Sequence, residues 1–284
     1  INIVYLPFVM ANIFRNIFNI VQIKFKFVKL SRRAFIGLAG GFVAALAYPT
    51  VGEPYTITAS ELELEWFDDL KVVHISDTHF GSYWFNEQAT LNMISQFSPD
   101  LIFHTGDLIT YMNGLDDALK FLERLSSIAP IFMVAGNHDH WSGLGSEGLK
   151  EEAASVGEVH VLNNEYVDFG PFIIAGVDDP YTYHDDPVKA IPKTDRKVVL
   201  LAHSPQIVGK VVTDLVLAGH THGGQVRLPF IGPPYLPLPQ VYRKYDQGPF
   251  IFEEGMMYVT RGLGMSFLPL RFMCPPEIVF IRGH

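Results

Sequence analysis

Residues 214–224 read Asp-Leu-Val-Leu-Ala-Gly-His-Thr-His-Gly-Gly. An apolar run, Leu215 to Ala218, stops at Gly219, and His220, Thr221, His222 and two more glycines follow at once. The run reads as a short buried strand, and the glycines beyond it permit the tight or left-handed turns that side chains oppose. Two imidazoles one residue apart at a strand end suit either a solvated polar turn or a metal site. These eleven residues do not decide between the two, so the answer has to come from the rest of the chain.

Working outward, the body alternates between strand and helix patterns. Strands are expected at Lys71–Ser76, Leu101–Thr105 and Ile131–Ala135, with helices at Asn86–Phe97, Leu115–Ser127 and Leu144–Ser155. Further short strands are expected at Val159–Leu162, Phe172–Val177, Val198–Ala202, Leu215–Ala218, Met257–Thr260 and Ile278–Ile281. Alternation of this kind implies βαβ units and a largely parallel core, and the helix-poor second half implies a second sheet packed on the first. The fold class is therefore α/β: a two-sheet β-sandwich core flanked by helices.

In such sheets chemistry gathers beyond the carboxyl ends of the strands. Asp77-Thr78-His79 follow the first strand, Gly106-Asp107 the second and Gly136-Asn137-His138-Asp139 the third. His203 follows Val198–Ala202, and Gly219-His220-Thr221-His222 follow Leu215–Ala218. Taken singly, Asp77 and Asp139 could be helix caps, and a lone histidine could be merely hydrogen-bonded. Five such ends in one chain point to a shared site. Carboxylate and amide oxygens mixed with imidazole nitrogens, and no thiolate, suit two divalent ions such as manganese, iron or zinc. His220 and His222 can then diverge from one loop toward two neighbouring ions.

These blocks, in this order, resemble the calcineurin-like metallophosphoesterase superfamily, whose pattern is Asp-x-His, Gly-Asp, Gly-Asn-His-Asp/Glu, His and Gly-His-x-His. The similarity runs from about residue 50 to the C-terminus. Residues 219–230, 261–264 and 269–278 resemble its bacterial YaeI/YkuE-type phosphodiesterase branch. The resemblance implies a four-layer α/β/β/α architecture and a binuclear centre. Asp77, His79 and His222 would bind one ion, Asn137, His203 and His220 the other, and Asp107 would bridge them. His138 would act over the substrate as proton donor or phosphate clamp, helped by Asp139. Arg261 either touches the substrate or forms a structural ion pair. Two divalent ions against two carboxylates leave a net charge of about +2 for a phosphate. A water shared by the ions would fall in pKa from about 15.7 toward about 7 and attack phosphorus as hydroxide.

Composition sets bounds. With 284 residues, 48% of them hydrophobic and 18% charged, the chain can bury a large core. Its single cysteine, Cys274, excludes an internal disulfide and any cysteine-cluster metal site. Residues 1–47 hold six basic residues and no acid, so 15 basic and 30 acidic residues remain beyond them, a net of −15. Such a body repels nucleic-acid backbones, and no obligate protein partner is implied.

Residues 1–50 read as a leader or membrane-associated segment, and residues 51–284 as the metallophosphoesterase domain. Arg32-Arg33 precede a mildly apolar stretch that ends in Ala45-Leu46-Ala47, which resembles a twin-arginine export signal. Ala34 to Ala47 is short for a bilayer span, and residues 3–23 carry a polar stripe suited to a membrane-surface helix. The body is expected at the cell envelope, exported or membrane-associated; the alternative is an inner-membrane anchor with the body on the cytoplasmic face.

Five prolines in residues 226–241 make a stiff loop directly after the paired histidines. It either forms a greasy wall beside the metals or covers the core. Beside a membrane, the greasy wall favours a phosphodiester or a lipid-linked diphosphate. An alternative activity is the UDP-2,3-diacylglucosamine pyrophosphatase step of lipid A biosynthesis. A non-catalytic envelope or cell-wall binding protein would show decayed ligands, and none is missing. The acidic run Asp178–Asp186 reads as a surface loop or a third metal site.

Overall fold

The computed structural model describes residues 31–83 and 85–283. Contacts divide the chain into two units, with the boundary between Ala44 and Ala45. Helix α1 (Arg32–Ala47) carries the twin arginine. The apolar stretch at 3–23 lies outside the described residues. Among those described, no helix is long and apolar enough to cross a membrane.

The larger unit is built on two six-stranded sheets. The first contains β1 (Thr58–Glu63), β2 (Lys71–Ile75), β3 (Leu101–Thr105), β4 (Ile131–Val134), β5 (Val159–Val161) and β12 (Glu277–Arg282), in the order β1-β12-β2-β3-β4-β5. The second contains β6 (Glu165–Asp168), β7 (Ile173–Gly176), β8 (Val198–Leu201), β9 (Leu215–Ala218), β10 (Gly248–Phe252) and β11 (Gly255–Val259), in the order β10-β11-β9-β8-β7-β6. β2, β3, β4 and β5 run parallel to one another, as do β7, β8, β9 and β11.

Side-chain alternation along the strands creates the layers. Val72, Phe103, Val134, Val199, Leu201, Leu215 and Leu217 meet between the sheets. Val73, Ile75, Ile102 and Met133 face outward and are covered by α2 (Glu87–Phe97), α3 (Leu115–Ser126) and α5 (Gly145–Ala153) through Ile94, Phe121, Leu122 and Leu149. On the far side, Val198, Leu200 and Val216 pack under Ile207, Tyr245 and Ala190 of the short helix α6 (Pro187–Ala190). The expected sandwich with helices outside it is the architecture observed. Leu217 is fully buried in the inter-sheet layer. Leu217→Ala is therefore expected to cost about 2–5 kcal/mol, seen as a lower denaturant midpoint at unchanged slope.

Two features differ from the sequence reading. The sequence pattern does not mark β1, β6 and β10; each lies at a sheet edge and is largely exposed on one face. The block that follows β4, for which no helix is expected, forms a one-turn helix, α4 (Asn137–Trp141).

Candidate metal centre

The five strand-end loops meet at one rim of the sandwich. Their backbone is unusual. Asp77, His79, Asp107, His220 and His222 all have positive φ, between 50° and 70°. Left-handed backbone is uncommon for residues with a side chain and clusters where function holds it in place. Five of the seven expected ligands adopt it, so each chain end turns sharply and aims its side chain back over the rim. Two of the neighbouring glycines, Gly219 and Gly136, serve close approach instead. A Cβ at Gly219 would strike Ser76 and the Asp77 carboxylate, and one at Gly136 would strike Asp107.

The side chains converge in two groups. Asp77, His79 and His222 offer donor atoms within 4.8 Å of one another, and so do Asp107, His203 and His220. Asn137 joins the second group, its Oδ1 standing 3.0 Å from Nε2 of His203. Asp107 belongs to both. Its Oδ1 accepts the amide of His138 at 2.8 Å, which leaves Oδ2 at 3.5 Å from Nε2 of His79 and 3.4 Å from Nε2 of His203. Asp77 is held by the amide of His220, 3.1 Å from each carboxylate oxygen.

The outer nitrogens of His203, His79 and His220 have partners, and donation to a carbonyl from His203 and His220 points their other nitrogen inward. Nδ1 of His203 donates to the carbonyl of Thr105 at 2.8 Å. Nδ1 of His79 pairs with the Thr110 hydroxyl at 2.9 Å, and Nε2 of His220 donates to the carbonyl of Pro237 at 2.9 Å. The inward nitrogens face each other, with His79 and His222 Nε2 atoms 2.9 Å apart and Nδ1 of His220 3.1 Å from Nε2 of His203.

Burial decides the charges. Desolvation lowers His79 and His220 to about 3, and burial with the adjacent His79 holds His222 well below its ordinary value. Burial raises Asp77 to about 7, against the pull of His203 and with the push of Asp107. Burial also opposes charge on Asp107 and His203, but their mutual attraction outweighs it. Asp107 sits well below the usual carboxylate range and His203 well above the usual imidazole range. His79, His220 and His222 are neutral, and His203 would give up its proton to a bound cation. Four imidazoles around two inward carboxylates are then the donor set of hard-to-borderline divalent ions, so these residues fit a binuclear centre.

Residues 70–224 match the family described as calcineurin-like phosphoesterase. The uncharacterized metallophosphoesterase YkuE of Bacillus subtilis strain 168 is 32% identical over 88% of this chain and 96% of its own length. Phosphodiesterase YaeI of Escherichia coli K12 is 29% identical over 89% of this chain and 99% of its own. The chain belongs to the calcineurin-like phosphoesterase family. Among solved structures, TT1561 of Thermus thermophilus aligns over 69% of this chain and 90% of its own with 15% identity and a TM-score of 0.46. Membership makes the chain a metallophosphoesterase, a phosphoester hydrolase whose His/Asp clusters suit two divalent ions.

The contacts of Asp139 and Arg261 bear on the roles expected for them. Asp139 does not hold the ring of His138. Its carboxylate accepts the amides of Gly136 at 2.8 Å, Ile109 at 3.0 Å and Leu108 at 3.3 Å. It thereby caps α4 and ties the Asp107 loop to the Asn137 loop, so it is a positioning residue. The guanidinium of Arg261 donates to Thr58 at 2.9 Å and Glu277 at 3.2 Å. The Glu277 carboxylate also accepts from Tyr258 and Thr260. Of the two roles the sequence allows Arg261, the structural ion pair is the one seen.

Sequence reasoning passes over Arg271, which is fully buried. Its guanidinium donates to the carbonyls of Arg261, Gly262, Gly264 and Cys274 and lies 3.5 Å from Nδ1 of His222. It braces the loop behind the paired histidines. Arg271→Met leaves the carbonyls of Arg261, Gly264 and Cys274 without the guanidinium, while that of Gly262 keeps the Glu277 amide, and is expected to destabilise by about 3 kcal/mol or more, measurable by denaturant unfolding.

The acidic run at 178–186 is not a solvated loop throughout. Asp178 and Asp179 are buried. Asp178 accepts from His140 and Ser146 at 2.7 Å each, and Asp179 accepts from the amides of Tyr181 and Thr182. His140 is paired here and stacks on His184 with ring centroids 4.1 Å apart. The loop presents Tyr181 to the centre, 4.4 Å from the ring of His220.

Proposed function

We propose that the protein hydrolyses a phosphodiester bond at a binuclear centre of manganese, iron or zinc. The observation that carries this reading is the placement of Asp107, one carboxylate oxygen pinned by an amide and the other set between His79 and His203. Bound divalent ions would supply Lewis acidity and a net charge of about +2 for the phosphoryl group. Asp77, His79 and His222 would hold one, Asn137, His203 and His220 the other, with Asp107 shared.

His138 supplies the proton chemistry. It projects into the same cavity as Asp107, Asn137, Trp141, Tyr181 and His220, and its ring stands edge-on to His79 with centroids 4.8 Å apart. It can give a proton to the departing oxygen. No Lys or Arg is among the residues lining this cavity, so no fixed side-chain cation rewards the second negative charge of a monoester. That favours a diester, as does the name of the YaeI relative.

The reading extends to place. Arg32-Arg33 head α1, and the basic, acid-free segment around them supports an envelope location, exported or membrane-associated, with the lipid-bearing substrates available there.

The test is hydrolysis of bis-p-nitrophenyl phosphate and p-nitrophenyl phosphate by the full chain, with manganese, zinc or iron added after chelation. Metal-dependent turnover that prefers the diester is expected. No turnover with any of the three metals would overturn the proposal, and a preference for the monoester would overturn its choice of bond.

A further inference from the structure

We infer that the apolar cavity beside His222 binds an alkyl or acyl arm of the phosphoester substrate; this deepens the phosphodiesterase reading and rests on it. The cavity measures about 270 Å³ and is walled by Val226, Pro234, Tyr235, Pro237, Phe267 and Leu268. It adjoins the metal cavity, for His222, Tyr235, Pro237, Ser266 and Phe267 line both. A substituent on a phosphorus held between the two ligand groups therefore has an apolar recess directly beside it.

Apart from the Tyr235 hydroxyl, the side-chain polar groups of the wall beyond His222 are already used. Gln225 gives its amide nitrogen to the carbonyls of Leu268 and Leu270, and its oxygen accepts the amide of Ser266. The Thr221 hydroxyl donates to the carbonyl of Asp246, and the Ser266 hydroxyl faces the same Gln225 oxygen. No Lys, Arg, Asp or Glu lines the cavity. A sugar, a peptide or a second phosphate would lose its hydration here without gaining partners, whereas a hydrocarbon chain loses only contact with water.

The recess is preformed. Gly224 packs against Pro233, and Pro234 and Pro237 stiffen the far wall, so little ordering is needed when a chain enters. Its rim is also apolar: Tyr235, Phe267 and Leu268 are each more than half exposed, and a longer chain can leave over them. The five-proline loop thus contributes the greasy wall, one of the two roles its sequence allows.

The experiment uses the full chain with manganese and a series of n-alkyl p-nitrophenyl phosphates, methyl to octyl, each below its aggregation limit. kcat/KM is expected to rise about four-fold per added methylene, the equivalent of about 0.8 kcal/mol, and to level off once the recess is full. A flat series overturns the inference. Leu268→Asp, on the exposed rim, should bring the octyl-to-methyl ratio toward one, with Phe267→Asp as the second variant; an unchanged ratio in both overturns it. Calorimetry gives a readout without turnover. Octyl phosphate should bind more tightly than methyl phosphate, with a negative heat-capacity change; equal affinities overturn the inference. Hydrolysis of every ester at one rate would remove the arm site and leave the phosphodiesterase reading standing. Hydrolysis of none would remove that reading, and this inference with it.

Discussion

Asp107→Asn is expected to cost the protein both its metal and its activity, with diester hydrolysis slowed by more than about 100-fold, the upper end of what losing even an outer partner of a metal ligand costs. The substitution changes almost no volume, so the argument is one of donors and charge. In the native site Oδ1 accepts the His138 amide and Oδ2 stands between His79 and His203. An asparagine cannot serve both sides. If its oxygen keeps the His138 amide, its NH2 group points at the ring nitrogens and offers hydrogens where an ion needs lone pairs. If it flips, the amide of His138 loses its partner and the start of α4 loosens. In either orientation the shared negative charge is gone. Metal analysis of the purified variant and the manganese dependence of thermal unfolding check this. Wild type should gain stability with manganese as a ligand-bound native state must, about 2.7 kcal/mol at one hundred times the dissociation constant, and the variant should gain little. Full metal content with full rate in Asp107→Asn would overturn the assignment of the centre.

Much of this is legible in the sequence because the central strands are parallel and buried on both faces. Such strands read as unbroken apolar runs, so Lys71–Ile75, Leu101–Thr105 and Leu215–Ala218 announce themselves, and whatever follows each run must lie at one rim. The ligands follow from that rule. The edge strands do not. Thr58–Glu63, Glu165–Asp168 and Gly248–Phe252 pair on one side only and bury little, so they carry acids, a glycine and a proline instead of an apolar run.

Arg271 escapes sequence reasoning for a different reason. Its role depends on four carbonyls arriving from residues 261–264 and 274, and no spacing in the sequence marks a convergence of backbone groups. The same holds for Asp139. Its type and position suit a helix cap, but only the structure shows its second oxygen shared with the Asp107 loop. The left-handed backbone at five ligands is also silent in sequence, because aspartate and histidine tolerate positive φ without requiring it.

The second large effect is expected at His138. His138→Gln should lower kcat between about 10² and 10⁴-fold on an ester whose leaving group is a poor one, such as a dialkyl phosphate, as removal of a general acid does. On bis-p-nitrophenyl phosphate the loss should be much smaller, because p-nitrophenolate is stable as an anion and departs without a proton. The contrast separates two roles. A side chain that only clamps the phosphate would lose the same factor on both esters, since the phosphoryl group is common to them, and KM would rise. A proton donor loses mainly kcat and only where the leaving oxygen needs the proton. The position of the ring supports the second role: its amide is fixed to Asp107 at 2.8 Å, while the imidazole projects between His79 and Trp141, 4.8 and 5.1 Å from their rings. Glutamine keeps the α4 backbone and the polar contact but has no titratable proton. Metal content should therefore stay at the wild-type level, unlike in Asp107→Asn. Equal losses on the two esters would assign His138 to binding and send the search for the acid to Tyr181, which lines the same cavity.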